Sequence, residues 1–152
     1  MSVIKINKDI KNKSRNDWRD PFYLNDILTL EEKSIHKKAK DFCRNNLMPS
    51  VIENNEKSLF DKKIYPALGL NGFLGNTIKG YGSAEVSSVA YGLVARELEA
   101  VDSSYRSAIS VQSSLVIHPI YSFGSNEQKE KYIPEIGRAH VWTPVTDVSR
   151  MP

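Results

Sequence analysis

The residues of this 152-residue chain best suited to chemistry lie in one short stretch, at Arg106, Ser107 and Ser110. A guanidinium is a planar, permanently charged fork that can hold a carboxylate through two parallel hydrogen bonds. Ser110 lies one helical turn beyond Arg106 on the same face, and Ser107 adjoins it. A carboxylate taken out of water needs such a cation or donor set. A second use of the guanidinium stays open: Arg106 can pair with Asp102 or Glu99 at the turn that precedes it.

Other reactive residues point to less. His36 sits beside Lys37 and Lys38 and reads as a surface histidine, with no second histidine or carboxylate at ligand spacing on that face. His118 precedes Pro119 and reads as a helix-end residue, because spacing pairs no nucleophile with it. The run from Gly72 to Gly82 tempts comparison with phosphate loops. Gly75 and Gly80 have P-loop spacing, but Tyr81 stands where the lysine is needed. The dinucleotide pattern would need glycine at Glu85. Glycine turns between two helices are the reading that remains. No catalytic or metal-ligating set is expected.

These residues must be positioned by helices. Val86, Val89, Ala90, Leu93, Val94, Leu98 and Val101 repeat at the helical period, with Ser87 or Ser88 as cap. A polar turn, 101–104, leads to a second helix of small and polar residues. Arg106 in its first turn opposes the helix dipole, so something else must favour it there. Upstream, Thr29 and Glu32 form a capping box for a helix to about Leu47, with Ile35, Ala39, Phe42, Cys43 and Leu47 inward and Pro49 ending or kinking it. Pro66 breaks the 60–72 segment, predicting a kink or a short helix restarting there. Pro21 disfavours helix at Asp20, and Trp18 is expected to pack on the domain. Ser125 and Gln128 open a last short helix that should stop at Pro134. The predicted fold is all-α, with about five or six helices.

Bulk properties agree. The chain is 40% hydrophobic and 26% charged, with net charge +3, which suits a domain with its own core and does not call for nucleic acid. Cys43 is the single cysteine, which excludes an intrachain disulfide and agrees with a reducing compartment. No apolar run approaches the ~20 residues of a membrane span.

The run from Thr77 to Gly124, within a nearly continuous match from Asp17 to about Pro134, resembles the N-terminal domain of the glutaryl-CoA dehydrogenase family, in the acyl-CoA dehydrogenase superfamily. The tract Ser104-Tyr105-Arg106-Ser107 carries the resemblance to the glutaryl branch. The resemblance implies FAD-dependent oxidation and decarboxylation of glutaryl-CoA to crotonyl-CoA, electron-transfer flavoprotein as acceptor, and a homotetramer in full-length form. It implies a substrate-binding role for Arg106, Ser107 and Ser110, with Glu99 holding the arginine network. It also implies that the glycine segment is an interhelical connection near the active-site cleft. In the family the flavin contacts lie largely in a middle barrel and the catalytic glutamate in a C-terminal helical domain. No catalytic base and no flavin ligand are therefore carried over, and a chain of this extent is expected to be inactive alone. The alternatives are a helical interaction module docking on full-length subunits, or a dehydrogenase for another acyl substrate.

The expected organisation is a polar tail over 1–16, the helical domain over 17–134, and an unstructured tail over 135–152. The last segment has no helical or strand period. From Ile136 to Thr146 it resembles the translation of a common short-read sequencing adapter; the adapter has TGA where Trp142 stands, so the resemblance requires a genetic code that reads TGA as tryptophan, or one base change. The first sixteen residues lack the features of a secretory signal or a good transit peptide. The expected location is the bacterial cytoplasm, with the mitochondrial matrix as alternative.

Overall fold

A computed structural model describes residues 20–138, and the expectations for Trp18, the leading tail and the residues after 138 lie outside it. The described residues are helical, without strands. The order is α1 (Leu24–Ile27), α2 (Leu30–Phe42), a π turn (Cys43–Leu47), a 3-10 turn (Met48–Ser50), α3 (Val51–Glu56), α4 (Ile64–Leu70), α5 (Ser88–Glu99), α6 (Ser103–Ser110), a π segment (Val111–Ile117), α7 (His118–Phe123) and α8 (Asn126–Arg138). End to end, these stretches make six continuous rods among the described residues.

Local chemistry explains most boundaries. Thr29 Oγ1 accepts from the Glu32 amide at 3.2 Å while Glu32 Oε2 accepts from the Thr29 amide at 2.9 Å, the full capping box. Ser87 caps α5 by accepting from the Ala90 amide. Pro66 is third in α4, where its missing N–H has no intrahelical partner to lose. Pro49 falls in the 3-10 turn, after which the chain turns helical again. The short α1 has no amphipathic period, and Asp20 organises it by accepting from the Leu24 and Asn25 amides at 2.8 and 2.9 Å.

The main core lies between α2 and α5, and α4 and α6 close it. Ala39, Phe42, Leu68, Phe73, Val94, Leu98, Tyr105 and Ile109 are buried in it. Phe42 and Phe73 meet edge to face at 5.6 Å. A second cluster, Ile78, Ile117 and Ile133, joins the glycine loop, the π segment and α8.

Several expectations need correction. α8 does not stop at Pro134 but runs through it to Arg138. Pro134 costs the helix one hydrogen bond, and burial of Ile133 with packing of Ile136 on the second cluster outweighs it. Val89 is exposed rather than inward, while Ala90, Leu93, Val94 and Leu98 form the buried face of α5. The turn is shorter than expected, because Ser103 already begins α6 and Asp102 is its cap. His118 is not at a helix end: the same rod continues through Pro119 to Phe123.

Candidate functional site

The site is built at the α5–α6 turn. Glu99 is the last residue of α5 and Arg106 is the fourth residue of α6. Arg106 Nε donates to Glu99 Oε2 at 2.7 Å. The other oxygen, Oε1, accepts from the Ser103 hydroxyl, also at 2.7 Å. Arg106 and Ser103, in that order, hold the Glu99 carboxyl below its ordinary range. This answers why a cation stands near the start of α6: the carboxylate across the turn favours it.

Asp102 is not the partner. Its Oδ1 accepts from the Ser104 hydroxyl and from the Ser104 amide, the latter at 2.8 Å. Its Oδ2 accepts from Asn55 Nδ2 at 3.2 Å, which ties α3 to the turn. These bonds, led by the Ser104 hydroxyl, lower the Asp102 carboxyl's pKa. Of the two carboxylates open to Arg106 in the sequence, the structure chooses Glu99.

The terminal amino groups of Arg106 have no hydrogen-bond partner among the described residues, and its side chain is 39% exposed. Ser107 and Ser110 are half-buried beside it. The structure thus brings Glu99 and Arg106 into direct contact. Ser110 shares the arginine's row on the helix, and Ser107 begins the next row.

The π segment sets where those rows lead. In an α-helix, residues four apart advance by roughly 40°. The wider π turn, with its i→i+5 bonds, carries them back. Burial records the result: Tyr105, Ile109, Ser113 and Ile117, each four apart, are all buried. Arg106, Ser110, Ser114, His118 and Ser122 make a neighbouring polar row. Ser107, Val111, Leu115, Pro119 and Phe123 make the next, with Val111, Leu115 and Phe123 among the exposed large apolar residues. Sequence reading did not single out Val111 and Leu115 as exposed residues beside the Arg106 row. The signal was their i, i+4 spacing, which means one face only where the helix is widened.

The register is pinned from the glycine loop. The Gly75 amide donates to the buried Ser113 hydroxyl at 3.1 Å. Gly75 has φ +55°, and a Cβ there would stand 2.7 Å from Ile117 Cδ1. The loop is therefore a packed interhelical connection. Where the dinucleotide pattern would need glycine, Glu85 turns back and its Oε1 accepts from the Gly80 amide at 2.9 Å.

His36 is not on the exposed side. It faces α5, with Nε2 2.6 Å from Glu97 Oε1 and 2.6 Å from an Arg96 terminal amino group. His118 has a neighbour after all: Ser122 Oγ is 3.4 Å from its Nδ1, an exposed i, i+4 contact of the ordinary helical kind. Burial, assisted by the Glu97 carboxylate, pushes the Cys43 thiol up to about 12, so it is inert packing rather than a nucleophile. No three His, Cys, Asp or Glu residues among the described residues come together to hold a metal. No described helix is long and apolar enough to cross a membrane.

The cavity beneath the glycine loop, between Gly75, Ile117 and Ile133, measures about 40 Å³, room for little more than a water. The larger concavity is an open groove lined by Lys37, Lys38, Asp41, Asn45 and Leu70, on the α2–α4 side.

Residues 29–140 match the acyl-CoA dehydrogenase N-terminal domain. The chain is similar to a short-chain-specific acyl-CoA dehydrogenase of Megasphaera elsdenii, 31% identical over 74% of this chain and 29% of that protein. It is 29% identical to an acyl-CoA dehydrogenase of Bacillus subtilis over 72% of this chain and 29% of the relative. Among solved structures, a glutaryl-CoA dehydrogenase from Mycobacterium smegmatis superposes with TM-score 0.74 at 38% identity, covering 77% of this chain and 30% of that one. A second structure of a glutaryl-CoA dehydrogenase from that organism is a complex with FADH2. The chain therefore spans less than a third of the length of these relatives. By the match of residues 29–140 and the helical fold that carries them, this chain belongs to the acyl-CoA dehydrogenase family and forms its N-terminal helical domain.

Proposed function

We propose that this domain forms the acyl-terminus end of the substrate pocket in an FAD-dependent dehydrogenase for glutaryl-CoA. The observation that carries the reading is the state of Arg106: anchored through Nε by Glu99, with its terminal amino groups unpartnered among the described residues. Those two groups present the parallel N–H pair that a carboxylate accepts. Ser110, in the same row, supplies a hydroxyl that can donate to the same carboxylate, with Ser107 alongside. The exposed apolar pair Val111 and Leu115 then offers a wall for methylene groups. A polar end followed by an apolar strip suits a short acyl chain that ends in a carboxylate.

In this reading the residues bind and orient, and they move no proton or hydride. Removal of the α proton and flavin chemistry belong to parts of the enzyme that these residues do not form. The overall reaction proposed for the whole enzyme is oxidation and decarboxylation of glutaryl-CoA to crotonyl-CoA, with electron-transfer flavoprotein as acceptor and a homotetrameric assembly in the bacterial cytoplasm. The similarity to short-chain and butyryl-CoA enzymes of Megasphaera elsdenii keeps a second reading, an uncharged short acyl-CoA. The test is to place residues 20–138 in the corresponding position of the Mycobacterium smegmatis glutaryl-CoA dehydrogenase and compare kcat/KM for glutaryl-CoA and butyryl-CoA. A clear preference for glutaryl-CoA that depends on Arg106 supports the first reading; a preference for butyryl-CoA supports the second.

A further inference from the structure

We propose that Ser103 is a positioning residue that keeps the terminal amino groups of Arg106 free for a carboxylate ligand; the proposal rests on the reading of Arg106 given above. A carboxylate beside a guanidinium tends to close onto it with both oxygens, taking Nε–H and one terminal N–H together. That arrangement would consume donors a ligand needs. Here Glu99 does not close. Its Oε2 takes Arg106 Nε at 2.7 Å, while the Ser103 hydroxyl occupies Oε1 at 2.7 Å.

The surroundings leave Ser103 free for this task. It is the first residue of α6, but Asp102 caps the helix, so the Ser103 hydroxyl is not needed as a cap. Asp102 is engaged elsewhere, by Ser104 at one oxygen and Asn55 at the other. The order of contacts is Ser103 to Glu99 and Glu99 to Arg106, so Ser103 acts on a ligand only through its neighbours.

The measurement is side-chain hydrogen exchange of Arg106 by NMR in the chain itself. Ser103→Ala keeps the Asp102 cap and a good helix former, so the amide spectrum should remain that of the folded chain. Releasing Glu99 Oε1 should let the pair close on two prongs, slowing exchange of the Arg106 terminal N–H groups by about threefold or more. Ser103→Thr should restore the original rates. Glutarate, but not butyrate, should shift the Arg106 guanidinium resonances, with an apparent affinity weakened about threefold or more in Ser103→Ala. Unchanged exchange in Ser103→Ala overturns the positioning role, whatever glutarate does. Altered exchange, with no glutarate response in the unmodified chain, instead overturns the carboxylate reading of Arg106 and leaves Ser103 setting the pair's geometry.

Discussion

Gly75 and Ile117 pack so closely that no side chain fits between them: a Cβ on Gly75 would stand 2.7 Å from Ile117 Cδ1 and 3.1 Å from Cγ2. The contact joins the glycine loop to the widened part of the helix that carries Arg106. Because Gly75 also has a positive φ, Gly75→Ala meets both strain and overpacking. We expect a loss of about 2–3 kcal/mol in urea unfolding. Gly80→Ala shares the positive φ but meets nothing within 4 Å, so it should cost about 1 kcal/mol. Equal losses for the two would contradict the packing account.

Helix starts and one buried face were legible because they depend on neighbours in sequence. The capping box of Thr29 and Glu32 and the Ser87 cap stand as read, and so do Ala90, Leu93, Val94 and Leu98. What sequence did not disclose depends on distant partners. His36 looks like a surface residue beside two lysines, yet Glu97, from another helix, covers it. Pro134 looks like a terminator until the isoleucine cluster that holds the next turn is known. The π segment has no composition of its own, and the Ser113–Gly75 bond helps to fix it. In the candidate site, the shared helical row of Arg106 and Ser110, with Ser107 adjoining, was legible by spacing. The choice of Glu99 over Asp102 was open in the residues themselves, where only the resemblance pointed to Glu99, because it turns on how Asn55 and Ser104 engage Asp102.

The caps predict acid sensitivity. The Thr29 amide first, then the Ser87 hydroxyl, hold the Glu32 carboxyl below its ordinary range. A carboxyl lowered in the folded state stabilises above its unfolded pKa of about 4.3, and that contribution is lost as pH falls through the folded value. Asp20, Asp41, Glu99 and Asp102 are lowered in the same sense. Urea midpoints should therefore hold steady from neutral pH to about 5 and fall below that. Glu32→Gln should be less stable at neutral pH and show a shallower acid decline. An acid decline as steep as that of the unmodified chain would remove Glu32 from the account.

Leu98 and Leu115 separate core from site. Leu98 is fully buried, so Leu98→Ala should cost about 2–5 kcal/mol. Leu115 is 71% exposed, and Leu115→Ala should change stability by no more than about 0.5 kcal/mol. In the chimeric enzyme, Leu115→Ala should nevertheless lower kcat/KM for glutaryl-CoA and butyryl-CoA alike, by about tenfold, as expected for a lost apolar wall. Unchanged kinetics for both substrates would show that the apolar row does not face the acyl chain.

The most direct measurement is kcat/KM of the same chimera for glutaryl-CoA and butyryl-CoA, before and after Arg106→Gln, together with its melting temperature. Glutamine keeps a polar side chain but removes the charge and the fork. Losing one member of a buried charge pair costs about 2–5 kcal/mol, a fall on the order of thirty- to several-thousand-fold for glutaryl-CoA. Butyryl-CoA oxidation should fall far less, or rise, because no unpaired guanidinium then has to be desolvated. The melting temperature should move little, since the Arg106–Glu99 pair is solvent-exposed and screened. An equal fall for both substrates with a lowered melting temperature would show that Arg106 serves only to tie α6 to α5, and would contradict its assignment to the substrate.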